Sequence, residues 1–111
     1  MASFDAIPQL LAQLTTPNTE AIRAAESALK PLLKSPQCIP PLMNLLTNLQ
    51  SPPAVRQITA VVLRKKIPNF YDGFNPQDKQ GFKAALLQML QTEPERSVRI
   101  SAVAVVAEVG E

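Results

Sequence analysis

The sequence predicts an all-α protein whose six helices form three antiparallel pairs. Apolar residues recur at steps of three and four along the chain, which places them on single helical faces. Prolines and capping residues separate these segments, and no segment shows the sustained alternation of a strand. With 111 residues, 46% of them hydrophobic, the chain has the length of one domain with a modest core.

The first three helices are predicted from apolar stripes with proline between them. Residues 4–15 form the first helix, and Thr16-Pro17 places a capping side chain before a proline, which marks the start of the second. Pro31 is expected to bend the second helix because proline removes a backbone donor. Pro40-Pro41 then separates the second helix from the third. The three stripes are Phe4, Ile7, Leu11 and Leu14; Ile22, Ala25, Leu29, Leu32 and Leu33; and Leu42, Leu45, Leu46 and Leu49.

Prolines and capping residues also separate the last three predicted helices. Ser51-Pro52 opens the fourth helix, which we expect to run to Lys66 or Phe70 and to end at Pro68 and the turn residues Asp72-Gly73. Asn75-Pro76 is a proline-containing cap for the fifth helix. The residues Thr92 to Glu95 repeat this cap pattern before a sixth helix from Val98 to Val109.

The second, fourth and sixth helices share a dipeptide near their starts: Ile22-Arg23, Val55-Arg56 and Val98-Arg99. Two helices per unit at a period of about 33–47 residues is typical of helical solenoids. The alternative is an unrelated six-helix bundle. The solenoid interpretation predicts repeat one at about 4–34, repeat two at about 39–71 and repeat three at about 75–110.

The last predicted helix is too uniformly apolar for a capping repeat, which needs a polar outer face. We therefore expect residues 1–111 to be the N-terminal repeats of a longer solenoid, cut after the third repeat. On this hypothesis the isolated chain self-associates through its last helix pair.

One run along the fourth helix resembles the second-repeat signature of the importin-β family of nuclear transport receptors. The run is Val55-Arg56-Gln57-Ile58-Thr59-Ala60-Val61-Val62-Leu63-Arg64-Lys65-Lys66-Ile67. The segment from Leu10 to Leu14 is similar to the first helix of that family, and the segment from Asn18 to Leu29 to its second. The basic character of residues 64–66 points to the importin four and five branch. Phe70-Tyr71 stands where the family often has tryptophan.

The resemblance implies a fold and a set of partners. It implies a superhelix of HEAT repeats in which second helices line a concave side that binds the small GTPase Ran in its GTP state. It also implies outer grooves for the phenylalanine-glycine (FG) repeats of nucleoporins, and basic protein cargo such as histones or ribosomal proteins bound by the rest of the receptor. Such a receptor shuttles between cytoplasm and nucleus.

Six residues are candidates for the Ran-binding face. Arg56, Gln57 and Arg64, spaced seven and eight apart, are expected to share one face of the fourth helix, with Lys65 beside them. Glu26 and Lys30 on the second helix are the other two candidates. The alternative for all of them is an ordinary solvated surface. Arg96 and Arg99 on the sixth helix are further candidates for this face, and for Arg99 we favour a structural role between repeats.

Composition excludes several other functions. The chain has no histidine and one cysteine, Cys38, so a histidine general base, a disulfide and a cysteine zinc cluster are excluded within it. We predict no enzyme activity, no cofactor and no metal site. A net charge of +2 and the lack of a long apolar run predict neither direct nucleic-acid binding nor membrane insertion. The functional alternatives are a HEAT-repeat scaffold of the phosphatase or chromosome type and, more weakly, an RNA- or histone-binding helical module.

Overall fold

A computed structural model describes residues 4–109 of the chain, and six α-helices follow one another in these residues. The helices are α1 (Ile7–Gln13), α2 (Thr19–Leu32), α3 (Ile39–Thr47), α4 (Pro53–Phe70), α5 (Pro76–Thr92) and α6 (Arg96–Val109). Single 3-10 turns precede α1 and α3 and follow α4, at Phe4–Ala6, Pro36–Cys38 and Tyr71–Gly73. No strand occurs in residues 4–109. The predicted all-α, HEAT-like fold is confirmed.

The helices form two compact units that divide within α4. In the first unit, which ends at Thr59, α1 packs against both α2 and α3. In the second unit, which begins at Ala60, α5 packs against α6. Because the connections from α1 to α2 and from α5 to α6 are short, each of these pairs turns back on itself.

Each unit has its own apolar core, built from the predicted stripes. Burial of these side chains supplies the main driving force for folding. The fully buried side chains of the first unit include Ile7, Leu11, Ala25, Leu42 and Leu46. Those of the second unit include Leu63, Ile67, Leu86, Val98 and Val105. Leu49, which was predicted on the third stripe, lies beyond the end of α3 and is 49% exposed.

The start of α2 differs from the prediction. Asn18, and not Thr16, is the capping residue: its Oδ1 accepts a hydrogen bond from the amide of Ala21 at 3.1 Å. The hydroxyl of Thr16 instead donates to the carbonyl of Gln13 at 2.8 Å, just after α1 ends. The prediction that Thr16-Pro17 starts the helix is therefore wrong. The predicted cap at Asn75 is confirmed, because its Oδ1 accepts from the amide of Asp78 at 2.7 Å.

The prolines lie where a helix tolerates them. Pro31 is in the last turn of α2 and not at its middle, and Pro40 and Pro41 are in the first turn of α3, where amide donors have no partner within the helix. Pro68 lies two residues before the end of α4 and does not terminate it. α4 begins at Pro53, and α6 begins at Arg96, ahead of the predicted Val98.

The core can be tested with two adjacent leucines of α5. Leu86 is fully buried and Leu87 is 52% exposed. We expect Leu86→Ala to lower the free energy of unfolding by about 2–5 kcal/mol, because the substitution removes buried methyl groups and leaves a cavity. Leu87→Ala is the matched control and should change it by less than about 0.5 kcal/mol. Urea denaturation followed by circular dichroism measures both, and equal losses would contradict the described packing.

Candidate functional site

Helix α4 divides its side chains between a buried and an exposed stripe. The buried side chains recur at helical spacing and are Val55, Arg56, Thr59, Ala60, Leu63 and Ile67. The exposed stripe follows at the same spacing and comprises Gln57, Val61, Arg64, Lys65 and Pro68. The exposed stripe therefore contains three of the six candidate residues.

Within the second unit, part of this exposed stripe borders a groove between α4 and α6. The groove has a volume of about 420 Å³. Its walls are Val61, Arg64, Lys65 and Pro68 from α4 and Ile100, Ser101 and Ala104 from α6. The small side chains of Ser101 and Ala104 leave the groove open, and Ile100 is 60% exposed beside them. The result is an open groove with an apolar floor and a basic rim.

One ion pair crosses between the two helices of the groove. The Nε of Arg64 lies 3.9 Å from the Oε2 of Glu108 on α6. The side chain of Arg64 remains 61% exposed in this pair. An exposed pair at this distance contributes little to stability, because water screens it and both side chains lose freedom. Arg64 is therefore held loosely and stays accessible.

Arg56 belongs to the buried stripe of α4 and does not line the groove. Its side chain is buried, and its Nη1 donates to the carbonyl of Leu49 at 3.2 Å and to the carbonyl of Ser51. The expectation that Arg56 shares an accessible face with Gln57 and Arg64 is therefore not met. The physical reason is that the connection before α4 exposes carbonyl groups without helical partners, and a guanidinium satisfies them.

Arg99 makes the same kind of contact at the start of α6. Its Nη1 donates to the carbonyls of Glu93 and Pro94 at 2.9 and 3.0 Å. Arg99 therefore has a structural contact, but these bonds lie within the connection that precedes its own helix and not between repeats, as was expected. The equivalent role of Arg56 was not predicted from the sequence. The available signal was the shared valine-arginine pair after a proline-containing connection.

The remaining candidates lie in the first unit. Glu26 and Lys30 are exposed on α2, four residues apart, and Gln57 is exposed on the part of α4 that belongs to this unit. Arg64 and Lys65 belong to the second unit. Arg64 and Lys65 thus border one groove of the second unit, and the other three candidates are exposed positions of the first unit.

The first unit contains a second hollow, between the N-terminal turn with α1 and the helix α3. Its volume is about 480 Å³. Its lining includes three prolines, Pro8, Pro40 and Pro41. Phe4 and Leu45 add further apolar surface. Asn44 and Asn48 supply amide groups on the α3 side. This hollow is wide and shallow, with one carboxylate, that of Asp5, among the residues that line it.

No helix within residues 4–109 is long and apolar enough to cross a membrane. No group of three or more potential metal ligands comes together in the same residues.

Paired helices that present an exposed, mixed apolar and charged groove define the class of helical-repeat binding proteins. Comparison with known proteins agrees with this class. The sequence profile of the Importin-beta N-terminal domain matches residues 25–92. Importin-4 of Mus musculus and importin-4 of Homo sapiens are each 33% identical to this chain over 95 residues. Those alignments cover 86% of this chain and 9% of each relative, so the chain spans a small part of the length of these proteins.

This chain belongs to the importin-β family, because the family profile matches more than half of its residues. Its similarity to two importin-4 proteins also supports the branch that the basic residues 64–66 indicated.

Arg56 holds the connection before α4, whereas Arg64 is an exposed candidate contact, and replacing each of them with glutamine tests this difference. We expect Arg56→Gln to lower the free energy of unfolding by about 1.5–3 kcal/mol, because the buried guanidinium and its charge-assisted hydrogen bonds to the carbonyls of Leu49 and Ser51 are lost. Arg64→Gln, on the exposed stripe of the same helix, should leave the urea midpoint unchanged. The measurement is paired urea denaturation of the two variants. A stable Arg56→Gln protein would show that its carbonyl contacts do not hold the connection.

Proposed function

We propose that this chain is the N-terminal part of a nuclear import receptor that binds Ran-GTP and takes part in transport between cytoplasm and nucleus. The observation that carries the proposal is the match of residues 25–92 to the Importin-beta N-terminal domain. Members of this family bind Ran-GTP and nucleoporins in general and shuttle through the nuclear pore. The role is one of binding, and we propose no catalytic step.

The proposed Ran-binding face consists of exposed polar side chains on α2 and α4. On α4 these are Gln57, Arg64 and Lys65, which belong to the exposed stripe. On α2 they are Glu26 and Lys30, both exposed. Because Arg56 is buried on loop carbonyls, we assign it the task of holding the start of α4, which sets the direction of the exposed stripe.

The proposed mechanism is differential binding. A receptor of this class has states of different curvature, and Ran-GTP and cargo prefer different or overlapping states, so the nucleotide on Ran decides which ligand remains bound. The three predicted repeats, at about 4–34, 39–71 and 75–110, are proposed as the first of the array. Basic cargo, such as histones or ribosomal proteins, is proposed to bind the rest of the receptor, since this segment carries a net charge of +2.

FG nucleoporins are a second proposed partner. The hollow between α1 and α3 joins apolar walls with amide groups from Asn44 and Asn48. A phenylalanine side chain could bury its ring against the prolines while the peptide bonds on either side meet the amides. This surface lies on the first helices of the first two proposed repeats. The family resemblance implies nucleoporin grooves between first helices, mostly further along the array, and we extend that role to this hollow.

The alternative function is a HEAT-repeat scaffold of the phosphatase or chromosome type. Such a scaffold shares the helix pairs but has no reason to discriminate between the two nucleotide states of Ran. The family match favours the transport receptor over the scaffold.

Binding to Ran loaded with a GTP analogue or with GDP tests the proposal, and two exposed lysines provide a matched pair. We expect this chain to bind the GTP form selectively. Lys65→Glu should weaken that binding roughly fivefold or more, because a cation on the proposed face becomes an anion. Lys34→Glu, an exposed lysine beyond the end of α2, carries the same charge change and should have little effect.

Biolayer interferometry of immobilised Ran with each variant gives the affinities. Equal affinity for the GTP and GDP forms would contradict the proposal. If neither form binds this chain, the same assay with a longer receptor that contains it decides the matter, and continued absence of binding would favour the scaffold.

A further inference from the structure

The groove between α4 and α6 has a definite chemical preference. Its floor is apolar, with Val61, Pro68 and the largely exposed Ile100. Its rim carries the two exposed cations Arg64 and Lys65, and its seven lining residues include no carboxylate. A ligand that places an apolar side chain next to a negative charge matches both features.

Glu108 provides a second, independent observation. It is not part of the groove lining, yet its carboxylate reaches the Nε of Arg64 at 3.9 Å. The pair is exposed and long, so it contributes little and separates at small cost. A carboxylate from another molecule could therefore replace that of Glu108 on Arg64. Glu108 occupies the position of the negative charge for which the groove is suited.

We propose that the groove between α4 and α6 binds an acidic segment of a partner protein that carries an apolar side chain beside a carboxylate, with Glu108 as a built-in competitor for Arg64. The apolar side chain lies on Val61 and Ile100, and the carboxylate pairs with Arg64 and Lys65. This inference rests on the proposed function in one respect, the assignment of Arg64 and Lys65 to a binding face.

A protein ligand fits the groove better than a nucleic acid does. Single-stranded nucleic acids bind through aromatic stacking platforms and extended basic tracks. The groove lining has no aromatic residue, and its cations are two neighbours on one helix. Its open apolar floor, in contrast, is suited to an aliphatic side chain.

The first test measures fluorescence polarisation with a short labelled peptide of alternating aspartate and leucine. The control peptide has asparagine in place of every aspartate. We expect this chain to bind the acidic peptide in preference, more tightly at low salt. Arg64→Gln should weaken the binding roughly three- to tenfold, since one cation of the rim is lost.

The competitor role predicts a gain of affinity. Glu108→Gln should tighten binding of the acidic peptide by roughly two- to fivefold, because the peptide no longer has to displace a carboxylate from Arg64. Glu20→Gln, at an exposed glutamate in the first turn of α2, removes the same charge from the chain and should leave the affinity unchanged. This comparison separates local competition from a general change in net charge.

A matched pair of variants tests the contribution of the apolar floor to peptide binding. Ile100→Ser should weaken peptide binding, because it removes apolar surface from the groove. Leu87→Ser alters a comparably exposed apolar residue on α5 and should not. Both residues are more than half exposed, so both variants should fold.

Three results would overturn the inference: equal binding of the two peptides, equal effects of Glu108→Gln and Glu20→Gln, or preferential binding of a single-stranded oligonucleotide. The Ran assay with the same proteins separates this inference from the proposed function. Loss of peptide binding with Ran-GTP binding intact removes the inference alone. Peptide binding by a receptor that ignores Ran-GTP removes the proposed function alone.

Discussion

Arginine side chains satisfy the carbonyl groups that precede two of the helices, and much of the described structure depends on this interaction. The guanidinium of Arg56 bonds to carbonyls of Leu49 and Ser51, and that of Arg99 to carbonyls of Glu93 and Pro94. Buried or half-buried carbonyls without a partner would be costly. Each arginine therefore ties a connection to the first turns of the helix that follows, and this determines how α4 and α6 begin.

The rotation of each helix follows from that anchor. Successive residues of an α-helix are about 100° apart, so Gln57 lies in a different direction from Arg56, and Gln57 and the residues at helical spacing after it are exposed. In α6 the same relation makes Ile100, directly after Arg99, an exposed residue. The groove is bordered by residues that follow these two arginines along α4 and α6. At nine residues beyond the anchor, α4 has Lys65 and α6 has Glu108, so equivalent positions carry opposite charge.

Much of the fold was predictable from the sequence, because the spacing of apolar residues indicates helices and the prolines between them mark where helices begin or end. All six predicted helices occur in the described residues, and the cap at Asn75 was identified from residue types alone. The dipeptide Ile22-Arg23 resembles Val55-Arg56 and Val98-Arg99 in sequence, but it does not occupy the same position in its helix. The carbonyl of Asn18 before α2 accepts a hydrogen bond from the amide four residues on, that of Ile22. The carbonyls of Pro52 and Glu95 before α4 and α6 accept the corresponding bonds from the amides of Arg56 and Arg99. Ile22-Arg23 therefore lies one position later, and Arg23 is exposed.

The candidate site was predicted less completely. Arg56 was placed with Gln57 on an accessible face because sequence periodicity treats every charged side chain as a surface residue, whereas hydrogen bonds to a connection can bury one. The groove itself could not be found from the sequence, since Ile100 and Arg64 become neighbours only through the packing of α4 beside α6. Periodicity predicts which residues of one helix are exposed, but not which exposed residues of two helices share a site.

The open groove between α4 and α6 limits how tightly this site alone can hold a partner. An open groove with two cations and a small apolar floor cannot supply high affinity alone, because association first has to offset the loss of translational and rotational freedom. Joined to further weak sites along one chain, it contributes through a raised effective concentration. If an acidic segment binds this groove as proposed, the loose pair of Arg64 with Glu108 also keeps the cost of exchanging that segment low. A receptor built from such sites can hold a partner firmly through many contacts and still release it when a second ligand competes at a few of them.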